Sequence, residues 1–175
     1  RHNLANAAAA VAAAASEGVP AAEALAAVND FPGVRRRLEV SGRAAGVEVI
    51  DDFAHHPSAI AATLAALEGG EGRLLAVLEP RSNTMCRGTH RDRLAAALQG
   101  ADHAFVLAPA GLAWSVPDAL APLGERAHTA PDVEALAALV LAEARPGDRI
   151  AVMSNGDFGG IHQRLLEGLR RRSAP

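Results

Sequence analysis

Three short stretches of this chain concentrate groups that can do chemistry. In Asp51-Asp52-Phe53-Ala54-His55-His56-Pro57, two carboxylates and two imidazoles fall within six residues. Such groups can ligate a metal ion, although adjacent histidines seldom reach one ion without a special turn. The plainer reading is that Asp52 or Ser58 caps a following helix while a histidine satisfies loop carbonyls. The second stretch runs from Glu79 to His90, Glu-Pro-Arg-Ser-Asn-Thr-Met-Cys-Arg-Gly-Thr-His. Arg81, Ser82, Asn83, Thr84 and Arg87 are all donors, and arginine grips carboxylate or phosphate with two parallel hydrogen bonds. A solvated surface loop, with Thr89 or His90 merely starting a helix, is the alternative. The third stretch is Ser154-Asn155-Gly156-Asp157-Phe158-Gly159-Gly160. Its glycines let backbone amides approach an anion at a helix start, or make a tight left-handed turn. It is not a G-x-G-x-x-G fingerprint, so dinucleotide binding is not expected.

Each stretch lies where a strand should end. Leu38 and Val40, then Val47 and Val49, are apolar at alternate positions around Ser41–Gly46 and predict a β-hairpin. Strands are expected at 46–51, 73–78, 103–107 and 149–153, with a short one at 126–128. Helices are expected at 58–67, 91–98, 131–144 and 160–171, with a weaker one near 116–121. Leu74–Leu78 and Ile150–Met153 are continuously apolar, as strands covered on both faces should be. Repeated β-α units of this length predict an open, mostly parallel, Rossmann-like α/β sheet flanked by helices. Open sheets of this kind bind ligands at the carboxyl ends of their strands.

Two alanine-rich helices, at 4–16 and about 20–29, precede that region. They carry little that could specify a core and look like a piece that packs on something else. Asn3 reads most simply as a helix cap. Phe31, Phe105, Trp114 and Met153 read as core or rim packing. His103, His128 and His162 have no clustered partner and read as structural or exposed.

The chain has 175 residues, half of them hydrophobic, which is enough for one domain with a little over. Lysine is absent, so no Walker-type or Schiff-base lysine can come from these residues. A net charge of −3 argues against a nucleic-acid partner. The Arg170–Arg172 run suits the end of a helix. The single cysteine, Cys86, can make no internal disulfide, which fits a reducing compartment. No apolar run is long enough to span a membrane. A cytoplasmic location is therefore expected. The chain starts at an arginine, which suggests a fragment.

Taken in order, several segments resemble the Mur ligases, ATP-dependent enzymes that build cell-wall peptides on UDP-muramic acid. His2-Asn3-x-x-Asn6 before an alanine-rich helix is similar to the end of that family's central ATPase domain. Gly33-Val34-x-x-Arg37-x-Glu39 is similar to its linker, and Val49–Pro57 to the opening of its C-terminal domain. Leu78–Met85 and Met153–His162 resemble the loops of the member that accepts a recycled wall tripeptide. The resemblance implies two parts: residues 1–33 as the tail of the central domain, and 34–175 as the acceptor-binding domain. It implies ATP and Mg²⁺ as cofactors. UDP-N-acetylmuramate and L-Ala-γ-D-Glu-meso-diaminopimelate would be the substrates, joined through an acyl phosphate. By motif position, Asn3 and Asn6 with His2 would contact adenine, Arg37 the phosphates and Asp52 the ribose. His55, His56, Arg81, Ser82, Asn83, Thr84, Arg87, Ser154, Asn155 and Gly156 would shape the acceptor pocket. The P-loop would lie upstream, so the fragment alone is expected to be inactive. Cys86 stands where the family pattern has arginine, and Asp157 where glycine is usual. The competing readings are a metal-dependent hydrolase built on Asp51, Asp52, His55 and His56, and a stand-alone, non-catalytic α/β binding module.

Overall fold

The computed structural model describes residues 2–173 and divides into two compact units, ending and beginning at Arg35 and Arg36. The first unit is a helix pair, α1 (His2–Ser16) and α2 (Ala21–Asn29). Alanine favours helix, and Gly18 at φ +86° breaks the chain between the two. Among its described residues only Ala24 is buried, and Leu4, Leu25, Phe31 and Val34 are more than half exposed. Phe31 thus does not pack in a core as expected. Phe105 and Met153 do, each at 1% exposure or less.

The second unit opens with the hairpin β1 (Glu39–Ala44) and β2 (Val47–Asp52). Its strands reach further than the sequence pattern predicts, because the reversal needs only Ala45 and Gly46, both at positive φ. Two left-handed residues form the kind of turn whose twist matches the flanking strands. Then follow α3 (Pro57–Leu67), β3 (Leu74–Leu78), α4 (Asn83–Cys86), α5 (Arg91–Leu98), β4 (His103–Leu107), α6 (Val116–Leu120), β5 (Ala127–Ala130), α7 (Val133–Glu143), β6 (Arg149–Met153) and α8 (Ile161–Ser173).

The six strands form one sheet in the order β1-β2-β6-β3-β4-β5, parallel except for β1. Side chains alternate across it. Leu74, Ala76 and Leu78 meet Ile60, Leu94 and Leu98 on one face. Leu75 and Val77 meet Phe105, Leu136, Val140 and Leu165 on the other. Both layers are buried, and each fully buried leucine contributes about 1.5–3 kcal/mol. The consequence for function is the position of β6. It inserts between β2 and β3, so the three chemically rich loops, after β2, β3 and β6, leave the same edge of the sheet side by side.

Candidate functional site

The loop after β2 is set by Asp52. Its carboxylate is 2% exposed and turned inward, accepting hydrogen bonds from Ala54 N, the Thr63 hydroxyl and Leu38 N, each at 2.9 Å. The residue expected to face a ribose therefore spends its oxygens inside the domain. His55 Nδ1 lies 2.9 Å from the Phe53 carbonyl. A carbonyl only accepts, so Nδ1 carries a proton, and in the neutral ring Nε2 is the acceptor. His56 has the opposite tautomer. Its Nδ1 accepts from Ser58 N, which makes His56, rather than Asp52 or Ser58, the cap of α3. Its ring meets His90 edge-on, with centroids 4.4 Å apart. No group of three or more His, Cys, Asp or Glu among the described residues could hold a metal ion.

The loop after β3 contains a short helix that the sequence reading missed, α4, capped by Ser82, whose hydroxyl accepts from Met85 N. Ser82 Oγ also lies 3.3 Å from Thr84 Oγ1. Arg81, Asn83, Thr84 and Arg87 are exposed. The Cys86 thiol folds back on the Pro80 and Arg81 carbonyls. It is turned into the loop, whereas its neighbour Arg87 faces solvent. Trp114, from the segment between β4 and α6, packs against this loop. Its indole N–H donates to the Met85 carbonyl at 2.7 Å, and its ring covers Gly88.

The loop after β6 joins the other two. Ser154 is fully buried; its hydroxyl donates to Glu79 and accepts from Gly156 N at 2.9 Å. Ser154 N donates to the Asp52 carbonyl, and Glu79 N to that of Met153. Arg81 crosses to Asp157 at 3.3 Å, lying so close over Gly156 that a Cβ there would sit 2.3 Å from its guanidinium. A side chain at 156 would displace the exposed Arg81 guanidinium from this position. The Asn155 amide oxygen is buried without a hydrogen-bond partner among the described residues.

The structure thus brings His55, Arg81, Ser82, Ser154, Asn155 and Gly156 to one sheet edge. Arg37 is exposed, its guanidinium 5.7 Å from the Phe53 ring centroid. Asn6 is exposed on α1, in the other unit. The His2 and Asn3 side chains lie outside the described residues. Two groups were missed. Arg36, undistinguished within Arg35–Arg37, reaches into this edge. His162, read as unclustered, places Nε2 3.2 Å from Asp51 Oδ1. Burial holds the His162 imidazole below its ordinary pKa; Asp51 opposes the shift and Arg36 adds to it. His103 and His128 are not isolated either. They stack at the far end of the sheet, Nδ1 to Nε2 at 3.1 Å.

Residues 36–156 match the family model described as the Mur ligase, glutamate ligase domain. The chain belongs to the Mur ligase family. It is 52% identical to the UDP-N-acetylmuramate–L-alanyl-γ-D-glutamyl-meso-2,6-diaminoheptandioate ligase of Escherichia coli K12, over 98% of this chain and 38% of that protein. A murein peptide ligase structure from Psychrobacter arcticus superposes with a TM-score of 0.76 at 40% identity, covering 97% of this chain and 37% of that one. A single domain of a related Haemophilus ducreyi protein superposes at 0.66 with 47% identity, covering 76% of this chain and 99% of that one. This Mur ligase segment therefore spans well under half the length of its full-length relatives. Among its described residues, no helix is long and apolar enough to cross a membrane.

Proposed function

We propose that this chain is the acceptor-binding end of an ATP-dependent ligase that joins UDP-N-acetylmuramate to L-Ala-γ-D-Glu-meso-diaminopimelate. The observation that carries this reading is the assembly of the three loops at one edge, tied through Ser154 and Glu79 with Arg81 and Arg87 left exposed, in a chain half identical to a ligase of that name.

In this reading the muramic-acid carboxylate takes a phosphoryl group from ATP. The free amine of the peptide then attacks the acyl phosphate, and phosphate leaves. The acceptor carries several carboxylates, which suit guanidinium forks. Arg81 and Arg87 would pair with them. Ser82, Asn83, Thr84 and the backbone amides of Ser154–Gly156 would donate further hydrogen bonds. His55, with Nε2 free to accept, and His56 would flank the peptide. Arg37 would meet the phosphates, and Asn6 with His2 and Asn3 the adenine. Asp52 would serve the nucleotide side by fixing the loop rather than by reaching a ribose. No group of three or more His, Cys, Asp or Glu among the described residues could hold magnesium by itself, so the ion would ride chiefly on the ATP phosphates. One domain, residues 34–175, would supply the acceptor pocket, and 1–33 would continue an upstream domain holding the nucleotide.

A titration of the isotope-labelled chain with millimolar tripeptide, followed by amide chemical shifts, tests the acceptor role. Shifts are expected in residues 79–88 and 154–160. An unchanged spectrum there overturns the reading.

A further inference from the structure

Three consecutive arginines precede β1, and the fold treats them differently. Arg35 and Arg37 are exposed. Arg36 turns inward. Its Nε donates to Asp51 Oδ2 at 3.1 Å, and one Nη2 donates to the carbonyls of Ser154 at 2.8 Å and Gly156 at 2.6 Å. Two of its three acceptors are thus backbone atoms of the loop after β6. The rest of the segment is fastened as firmly. Arg36 N donates to Glu39, Phe53 N to the Arg36 carbonyl, and Leu38 N to Asp52. Arg36 at φ +59° and Leu38 at φ +52° hold the left-handed conformation, which residues with a Cβ keep only where surrounding contacts over-determine it. Arg37 is held outward between these two anchors. On the far side, the other oxygen of Asp51 faces His162 across 3.2 Å.

We propose that Arg36 is the positioning residue of the 154–160 loop. It fixes the peptide planes at Ser154 and Gly156, and with them the N–H groups offered to an acceptor. It also ties that loop to the strained segment presenting Arg37. The inference rests on the acceptor reading and deepens it. A planar guanidinium can satisfy a carboxylate and two carbonyls in divergent directions at once, which a lysine point charge cannot do in the same geometry. Without it the carbonyls lose a charged donor, and Gly156 lets the loop turn.

The test compares the 175-residue chain with Arg36→Met, Arg36→Lys, Asp51→Asn and, as a control, Arg35→Ala. Amide hydrogen exchange and tripeptide titration are the readouts. In Arg36→Met, exchange at 155–160 is expected to quicken about tenfold or more, while β3 and β4 keep their protection. Tripeptide affinity falls by about the same factor. Guanidinium ion at non-denaturing concentration partly restores both. Arg36→Lys and Asp51→Asn move in the same direction, and Arg35→Ala moves neither. If Arg36→Met fails to fold, the other two variants decide the matter. Loop exchange and affinity unchanged in these variants would overturn the proposal. Should the unsubstituted chain show no tripeptide shifts, the acceptor reading falls, and the exchange comparison alone decides whether Arg36 holds the loop.

Discussion

Asp51 and Asp52 are neighbours with separate tasks. Asp52 organises the chain around itself, whereas Asp51 accepts from Arg36 through Oδ2 and turns Oδ1, which has no hydrogen-bond partner among the described residues, toward His162. Thr63→Val removes one of three donors from a buried carboxylate while keeping the shape. It is expected to lower stability by about 1–2 kcal/mol in a urea titration. Gly156→Ala places a Cβ inside the Arg81 guanidinium, so Arg81 must leave the loop. Tripeptide affinity should fall about tenfold with little change in melting temperature; an equal loss of both would count against a local role. Two imidazoles contribute to the acid response near neutral pH. His162 is held below its ordinary pKa by burial, and His128 by burial and then by His103. Both bind protons less readily folded than unfolded. The stability they add is therefore complete above about pH 6.5 and is lost as the pH falls below it. The urea midpoint should drop between about pH 7 and 5; a flat midpoint would contradict this. The sequence located the three loops. It did not show which histidine caps, which aspartate turns inward or which arginine enters. Those depend on strand register, where a one-residue shift exchanges the faces.

The order of strands and helices was legible almost throughout, because hydrophobic runs and turn residues alternate along the chain. Their spatial order was not. Nothing local in Arg149–Met153 says that it lies between β2 and β3. That placement is a long-range pairing, and it is what gathers the loops. The short helix α4 escaped because one turn has no periodicity to read. At the opposite end of the sheet a charge network joins the starts of β3 and β6 to the end of α7. Arg73 reaches Asp148 at 2.7 Å and Glu143 at 2.5 Å. The Asp148 side chain is 4% exposed. Burial is the largest single influence and raises its carboxyl, but the hydrogen bonds from Arg73 and Arg145 N and the charge of Arg73 together outweigh it and hold the carboxyl below the usual range. Arg73→Met strands that charge. Because Arg73 and Glu143 are about a quarter exposed, the expected loss is about 2 kcal/mol, less than for a fully buried pair. A thermal melt of the variant checks it.

The chain divides into two compact units that differ in how much they bury. Residues 36–173 have a sheet with two buried apolar layers, whereas the helix pair before Arg36 has one buried alanine among its described residues. A chain starting at Arg36 is expected to keep the melting temperature of the 175-residue form, and limited proteolysis should cut first within residues 1–35. A large fall in melting temperature on truncation would show that the helices support the sheet.

Trp114 has a practical consequence. The chain has one tryptophan and no tyrosine, so its near-ultraviolet emission comes from one indole. That indole, carried by the segment between β4 and α6, is bonded to Met85 and lies over Gly88, against the arginine-bearing loop. The protein therefore contains its own optical gauge of that loop. Stopped-flow mixing could time the loop's response to a peptide without attaching any dye.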